Sequence, residues 1–356
     1  MRVAARIAAG SGALCLALTA AGTAQAAGTT AGSTVVNTVS VDYSVGGIAQ
    51  TAVNASNSIV VDRRVTLTIV EPGNAATSVS PGQTTAVTTF LVTNTSNAPL
   101  DFGLTVAQPI GGPGAHGGTD NFDAGAPATF IDSNANGVYD AGTDLAAAFL
   151  DELAADASRT VFIVSGVPIA RINGDIAVVT LTATAREAGA AGAQGIVLTQ
   201  TSGANTAAMD TVFADGAGAT DAARDGQFSA RDDYLVSAAL LSVVKTSRPI
   251  SDPANGAANP KNIPGATIEY CIQVTNASGG ATAVAPTVTD PLPAQTGFNA
   301  GFGVFVDGTI NATTGFCEGG TATGSFVGPA PGTVTGTLAN LAPGATRTLY
   351  FRATLN

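Results

Sequence analysis

Pro264-Gly265-Ala266-Thr267-Ile268-Glu269-Tyr270-Cys271-Ile272-Gln273-Val274-Thr275-Asn276 reads as a turn running into a strand. Proline presets φ at the first central turn position, glycine accepts positive φ at the second, and the residues that follow are mostly β-branched or aromatic. The phrase recurs. Pro81-Gly82-Gln83-Thr84 leads to Val92-Thr93-Asn94, and Pro343-Gly344-Ala345-Thr346 precedes Tyr350-Phe351-Arg352-Ala353-Thr354. A chain that repeats turn-then-strand at well-separated places is built from repeated β units.

Working outward, residues 35–43 and 48–53 alternate as strands across Gly46-Gly47, a pair suited to a tight hairpin. Residues 65–70 form a period-two strand that Glu71-Pro72-Gly73 ends, and strands resume over 159–164 and 176–184. Between them, 111–156 is rich in Gly, Asp and Ala and reads as a long loop insertion, with a short Ala/Leu-rich helix expected over 145–155. Residues 189–234 are small and polar and read as a linker. They carry a charged cluster of Asp221, Arg224, Asp225, Arg231, Asp232 and Asp233, which is either a second cation site or a solvated loop with local ion pairs. A strand at 240–245 opens a second module that continues through 287–293, 304–306, 333–338 and 349–351.

Short strands, Gly/Pro turns and no long amphipathic helix predict an all-β chain of two immunoglobulin-like β-sandwich modules in tandem, 27–235 and 236–356, the first carrying the loop insertion. With no Trp and only 5% aromatic residues, both cores must be built from Val, Ile, Leu and Phe.

The N-terminus predicts export. Arg2 and Arg6 precede an apolar run over residues 7–21 that ends near Ala24-Gln25-Ala26, a small-x-small cleavage site. The run is shorter than the ~20 residues that span a bilayer, so 1–26 reads as a signal peptide, and no later segment is apolar enough to anchor the mature chain. Loss of both leader arginines leaves twelve basic residues against 25 acidic ones, a charge of −13. That balance disfavours nucleic acid and anionic lipid and suits cation binding. Cys15 leaves with the leader. Cys271 and Cys317 remain, an even pair that in an exported protein predicts one disulfide, two buried thiols being the alternative.

The ordered series Val243-Val244-Lys245-Thr246, Pro264 to Tyr270, Val274-Thr275-Asn276 and Val288-Thr289-Asp290-Pro291-Leu292-Pro293 resembles the bacterial surface repeat family known as domain of unknown function 11. The closing Leu341-Ala342-Pro343-Gly344-Ala345-Thr346 is similar to the family's last strand. The resemblance covers about the last third of the chain. It implies immunoglobulin-like stalk modules of large envelope proteins, without a catalytic motif. Cys271 inside the family strand, and a single full copy, depart from the pattern.

One motif carries chemistry. Asp132-Ser133-Asn134-Ala135-Asn136-Gly137-Val138-Tyr139-Asp140 sets oxygen side chains at relative positions 1, 3, 5 and 9 with Gly at 6, the spacing of a calcium loop. Asp132, Asn134, Asn136, the Val138 carbonyl and Asp140 are the expected ligands. Thr143 stands where an EF-hand has its bidentate Glu, and Asp144 is the nearest substitute. The stretch resembles calcium loops in the B-type repeats of Gram-positive adhesins; the alternative is an Asx-rich turn without an ion.

Other chemistry finds less support. His116 is the only histidine, lies among glycines and reads as a flexible loop residue, and no Gly-x-Ser-x-Gly elbow accompanies it. Zinc is expected to need several His or Cys ligands, which one His and two Cys do not furnish. The expectation is therefore a non-enzymatic structural or adhesive protein of the bacterial envelope or extracellular matrix, with calcium as its ion and an envelope or matrix protein or glycan as partner. The alternatives are a secreted carbohydrate- or protein-binding module and, more distantly, a secreted hydrolase. A binding module predicts an exposed aromatic platform, for which Tyr234, Phe298, Phe302 and Phe305 are the candidates.

Overall fold

A computed structural model describes residues 28–356; the expected leader, 1–26, lies outside the described residues. The described chain is all β, with no helix long and apolar enough to cross a membrane. It forms two immunoglobulin-like sandwiches in tandem.

In the first sandwich one sheet has the spatial order Leu145–Ala146, Gly125–Ile131, Ser158–Gly166, Ala86–Asn94, Leu67–Val70. The other runs Phe149–Leu153, Leu100–Ala107, Ile176–Arg186, Gln227–Val236, Thr77–Val79. Strict alternation decides the faces: along Ala86–Asn94 every second residue is buried, because successive side chains of a strand point to opposite sides. Leu67, Phe90, Val92, Phe102, Val161, Ile163, Leu181 and Tyr234 fill the space between the sheets.

The second sandwich packs Leu241–Ser251, Thr267–Asn276, Thr346–Leu355, Val304–Ile310 and Cys317–Glu318 against Thr287–Pro291, Thr333–Thr337 and Ser325–Val327. Its separate core contains Ile272, Val274, Val306, Val334, Leu338, Leu349 and Phe351. On the outer face Cys271 and Cys317 are disulfide-bonded, with Cα atoms 5.5 Å apart, under Tyr350, Phe302, Phe305 and Phe316. All three Pro-Gly turns take the expected form, with φ of 77° at Gly82, 84° at Gly265 and 80° at Gly344.

The N-terminal hairpin turns at Gly46-Gly47, between Ser44–Val45 and Ile48–Ala49. Its main ladder joins Thr34–Val41 to Val53–Val60, so the strand expected over 48–53 is broken at 50–52 and a longer one begins at Val53. The insertion adds strands to both sheets, Gly125–Ile131 and Phe149–Leu153, and leaves loops at 108–124 and 132–144. The helix expected over 145–155 is absent. Leu150 and Leu153 are buried beside the Leu100–Ala107 edge, where Phe149–Leu153 pairs with a bulge at 151–152. Packing there overrides the helical preference of a short Ala/Leu run.

The polar stretch 189–234 likewise runs into a strand. Gln227–Val236 lies between Ile176–Arg186 and Thr77–Val79. Asp232 and Asp233 are therefore buried, which corrects the reading of the charged cluster as one solvated loop. Asp221 and Asp225 do make local turns, accepting hydrogen bonds from Gly218 and Ala222 N–H groups.

Candidate functional site

The loop after Gly125–Ile131 closes on itself through its own oxygen side chains. Asp132 leads it and is buried, its two oxygens accepting from the N–H groups of Asn136 (3.3 Å) and Gly137 (2.8 Å). Gly137 has φ of 77°, the left-handed conformation that glycine adopts without steric cost. Asp144, also buried, accepts from Ser133 N (3.0 Å) and Asp140 N (2.7 Å), so it ties the end of the loop to its beginning. The amides of Asn134 and Asn136 both donate to Asp140 Oδ2, at 2.9 and 2.6 Å. Those two hydrogen bonds, Asn134 first, hold the Asp140 carboxyl below its ordinary value. The Val138 N–H donates to Asn136 Oδ1 at 2.8 Å.

The six expected ligand residues, Asp132, Asn134, Asn136, Val138, Asp140 and Asp144, are thus brought into one short loop. Asp144, the nearest substitute for the missing acid, meets the rest of the loop through the hydrogen bonds it accepts from the Ser133 and Asp140 N–H groups. The donor set is hard oxygen throughout, the chemistry that calcium prefers.

His116 corrects its reading as a flexible loop residue. Its N–H and that of Ala115 donate to the two carboxylate oxygens of buried Asp233, at 2.8 and 2.9 Å. Gly114 is needed for that approach, since a Cβ there would collide with the Gly117 carbonyl and lie 2.8 Å from Asp233 Oδ2. The imidazole stands between Glu71 and Asp232, with Nε2 3.6 Å from Glu71 Oε2 and 3.2 Å from Asp232 Oδ1. Burial pushes the Asp232 carboxyl up to about 6; the Asp233 N–H opposes this, Glu71 adds to it, and the Thr77 hydroxyl and His116 oppose it. Sequence reasoning missed this trio because its members belong to a strand end, a loop and a later strand. The only local signal was the charge of Asp232 and Asp233 in a strand-like alternation.

The four aromatic candidates do not form an exposed platform. Tyr234 is a core residue whose hydroxyl donates toward the carbonyls of Ile163 (3.0 Å) and Ala86 (3.2 Å) on the facing sheet. Phe298 stacks on Phe326 with ring centroids 4.5 Å apart. Phe302 and Phe305 pack with Tyr350 over the disulfide.

No family model matches the chain, and no curated protein matches it. Among solved structures it is similar to the C-terminal domain of the Streptococcus agalactiae AgI/II polypeptide BspA, with a TM-score of 0.31, 9% identity, and 82% of this chain and 91% of that one covered. It is also similar to the class 5 fimbriae chaperone CfaA (TM-score 0.24, 10% identity, 78% and 83% covered). A third is the CupB6 tip adhesin from Pseudomonas aeruginosa (TM-score 0.22, 9% identity, 82% and 89% covered). At these scores the likeness says nothing about what the chain binds.

Proposed function

We propose that the protein is an exported, non-enzymatic β-sandwich scaffold of the bacterial cell envelope or its surroundings, stiffened by calcium and serving a structural or adhesive role. The observation that carries this reading is the joint between the sandwiches. The first module ends at Val236 and the second begins at Leu241, so only residues 237–240 intervene. They are held on both sides: Ser237 N donates to Val79 O, Ala281 N to Ala238 O, and Leu240 N to Asn276 Oδ1. Asn173, from a loop of the first module, accepts from Ala238 N at 3.0 Å and donates to Gly279 O at 3.2 Å. A hydrogen-bonded joint between two separately cored units suits transmission of force or the holding of a fixed span, whereas free domain motion is the usual expectation for linked domains.

The leader motif, the disulfide and the resemblance of the second module to an envelope repeat family support export and a surface setting. In the calcium loop, Asp132, Asn134, Asn136, the Val138 carbonyl, Asp140 and Asp144 would hold the ion, and its removal would leave the loop tied only by its internal hydrogen bonds. The non-enzymatic reading draws on His116, whose Nε2 faces two carboxylates rather than a nucleophilic hydroxyl. The partner would be an envelope or matrix protein or glycan.

The test pairs two measurements on the purified mature chain. Calcium-dependent attachment to envelope or matrix preparations, without turnover of glycosides, esters or peptides, is the expected result. Turnover abolished by Asp→Asn changes in the 111–156 insertion would overturn it.

A further inference from the structure

Glu71, His116 and Asp232 come from three separate places. Glu71 follows Leu67–Val70 of one sheet, Asp232 lies on Gln227–Val236 of the other, and His116 sits in the loop after Leu100–Ala107. Among the described residues they are one trio whose ligand atoms all lie within 4.8 Å of one another. The side chains are 11%, 17% and 2% exposed, in the order Glu71, His116, Asp232.

The spacing is within reach of an ion pair but longer than a charge-assisted hydrogen bond, and it suits shared coordination. A charge-assisted N–H···O bond to a carboxylate runs about 2.7–2.9 Å. Here the two separations from Nε2 are 3.2 and 3.6 Å, and this buried nitrogen makes no hydrogen bond. Donor atoms about 2.0–2.2 Å from a tetrahedral zinc ion stand about 3.3–3.6 Å from each other. A buried imidazole nitrogen without a hydrogen bond, with two carboxylates at coordination spacing, is the arrangement a metal ion completes.

The surrounding hydrogen bonds aim the ligands. Asp232 Oδ1 accepts from Asp233 N at 2.7 Å, and its Oδ2 from the Thr77 hydroxyl at 3.2 Å. Glu71 accepts from the Gly73 and Asn74 N–H groups, while Asp233 fixes the backbone of His116. Such outer partners orient metal ligands and tune affinity. A cleft lined by Glu71, Thr77, Thr89, Gly137 and Asp232 leads to the carboxylates from solvent.

We propose that Glu71, His116 and Asp232 form a site for a divalent transition cation of the zinc class, which joins the two sheets of the first sandwich to the 108–124 loop. The imidazole ligand decides the class, since calcium takes oxygen donors and imidazole suits zinc and its neighbours. The expectation that one histidine and two cysteines exclude zinc overlooked carboxylates, which are also zinc ligands. This site is chemically distinct from the calcium loop and does not depend on the scaffold reading.

The test uses the full mature chain without an affinity tag, stripped by chelator and dialysed. Calorimetric titration with zinc should show one tight equivalent and raise the melting temperature, and cobalt substitution should give the intense visible absorption of a four-coordinate ion. His116→Gln and Glu71→Gln, checked for native circular dichroism, should each weaken zinc binding by at least about 100-fold, the upper end of what losing an outer-shell partner costs. Asp252→Asn, in the second sandwich, should leave zinc binding unchanged. Absence of a tight zinc equivalent in the parent chain, retention of it by both ligand variants, or its loss in Asp252→Asn would overturn the assignment. If either ligand variant lacks native structure, cobalt absorption by the parent chain decides: a four-coordinate spectrum supports the site, and an octahedral one refutes it.

Discussion

Asn94 and Asn276 do the same work in the two sandwiches. Each ends a Val-Thr-Asn strand and is fully buried, and each side-chain amide donates to two backbone carbonyls: those of Ala98 and Leu153 for Asn94, of Ala281 and Leu341 for Asn276. Each Oδ1 also accepts a backbone N–H, from Ser96 and Leu240 respectively. The repeated tripeptide is thus a repeated structural joint, in which one amide satisfies the polar groups of the chain leaving the strand and of a segment across the sandwich.

Replacing either residue by Ala leaves two carbonyls and one N–H without that partner. The expected cost is about 2–4 kcal/mol, from buried groups worth roughly 1–3 kcal/mol each when unsatisfied. Urea unfolding of Asn94→Ala and Asn276→Ala measures it; losses under about 0.5 kcal/mol, typical of surface changes, would show that the joint is dispensable.

The Cys271–Cys317 bond closes a loop spanning 46 positions. Chain entropy predicts that its loss costs about 3–4 kcal/mol, confined to the second module. Unfolding of the Cys271→Ser/Cys317→Ser double variant checks the size, and intact mass before and after reduction checks the bond. Two alkylatable thiols in the unreduced protein would contradict it.

Calcium should raise the stability of the first module. At a free concentration 100-fold above the dissociation constant the gain is about 2.7 kcal/mol if the unfolded chain does not bind. Asp132→Ala and Asp144→Ala should both abolish the difference between melts in calcium and in chelator. Coincident melts for the parent chain would leave the loop as an Asx-rich turn.

Asp252 supplies an acid-dependent term in the second module. The Asn255 N–H, followed by the Asn255 amide and the N–H groups of Lys261 and Ala254, holds its carboxyl at about 2 against the ordinary 3.8, with burial opposing. A carboxyl with a lowered folded value stabilises the fold above its unfolded value, and that contribution fades as pH falls through the folded one. Stability from Asp252 should therefore be intact above pH 3.8 and decline toward pH 2. Denaturant midpoints at stepped pH should fall less steeply over this window in Asp252→Asn; identical slopes would refute the assignment.

Much of the fold was legible because its signals are local. A Pro-Gly pair specifies its own turn, an alternating run its own strand, and the Asp132–Asp144 loop closes on hydrogen bonds between near neighbours, so the spacing of its residues already contained its geometry. The remainder depended on contacts that no local window contains. Residues 149–153 became an edge strand because Leu100–Ala107 offered an unpaired edge and a core that could take Leu150 and Leu153. Tyr234 went inside because Ala86 and Ile163 supply acceptors on the facing sheet. The trio of Glu71, His116 and Asp232 arises only where a strand end, a loop anchored by Asp233 and a strand of the opposite sheet converge. The sequence by itself determined the β units, the even cysteine pair and the oxygen-rich loop, since each rests on backbone preference or close spacing. Tertiary structure alone decided which charges were buried and which side chains met, because desolvation and coordination depend on distances between residues far apart along the chain.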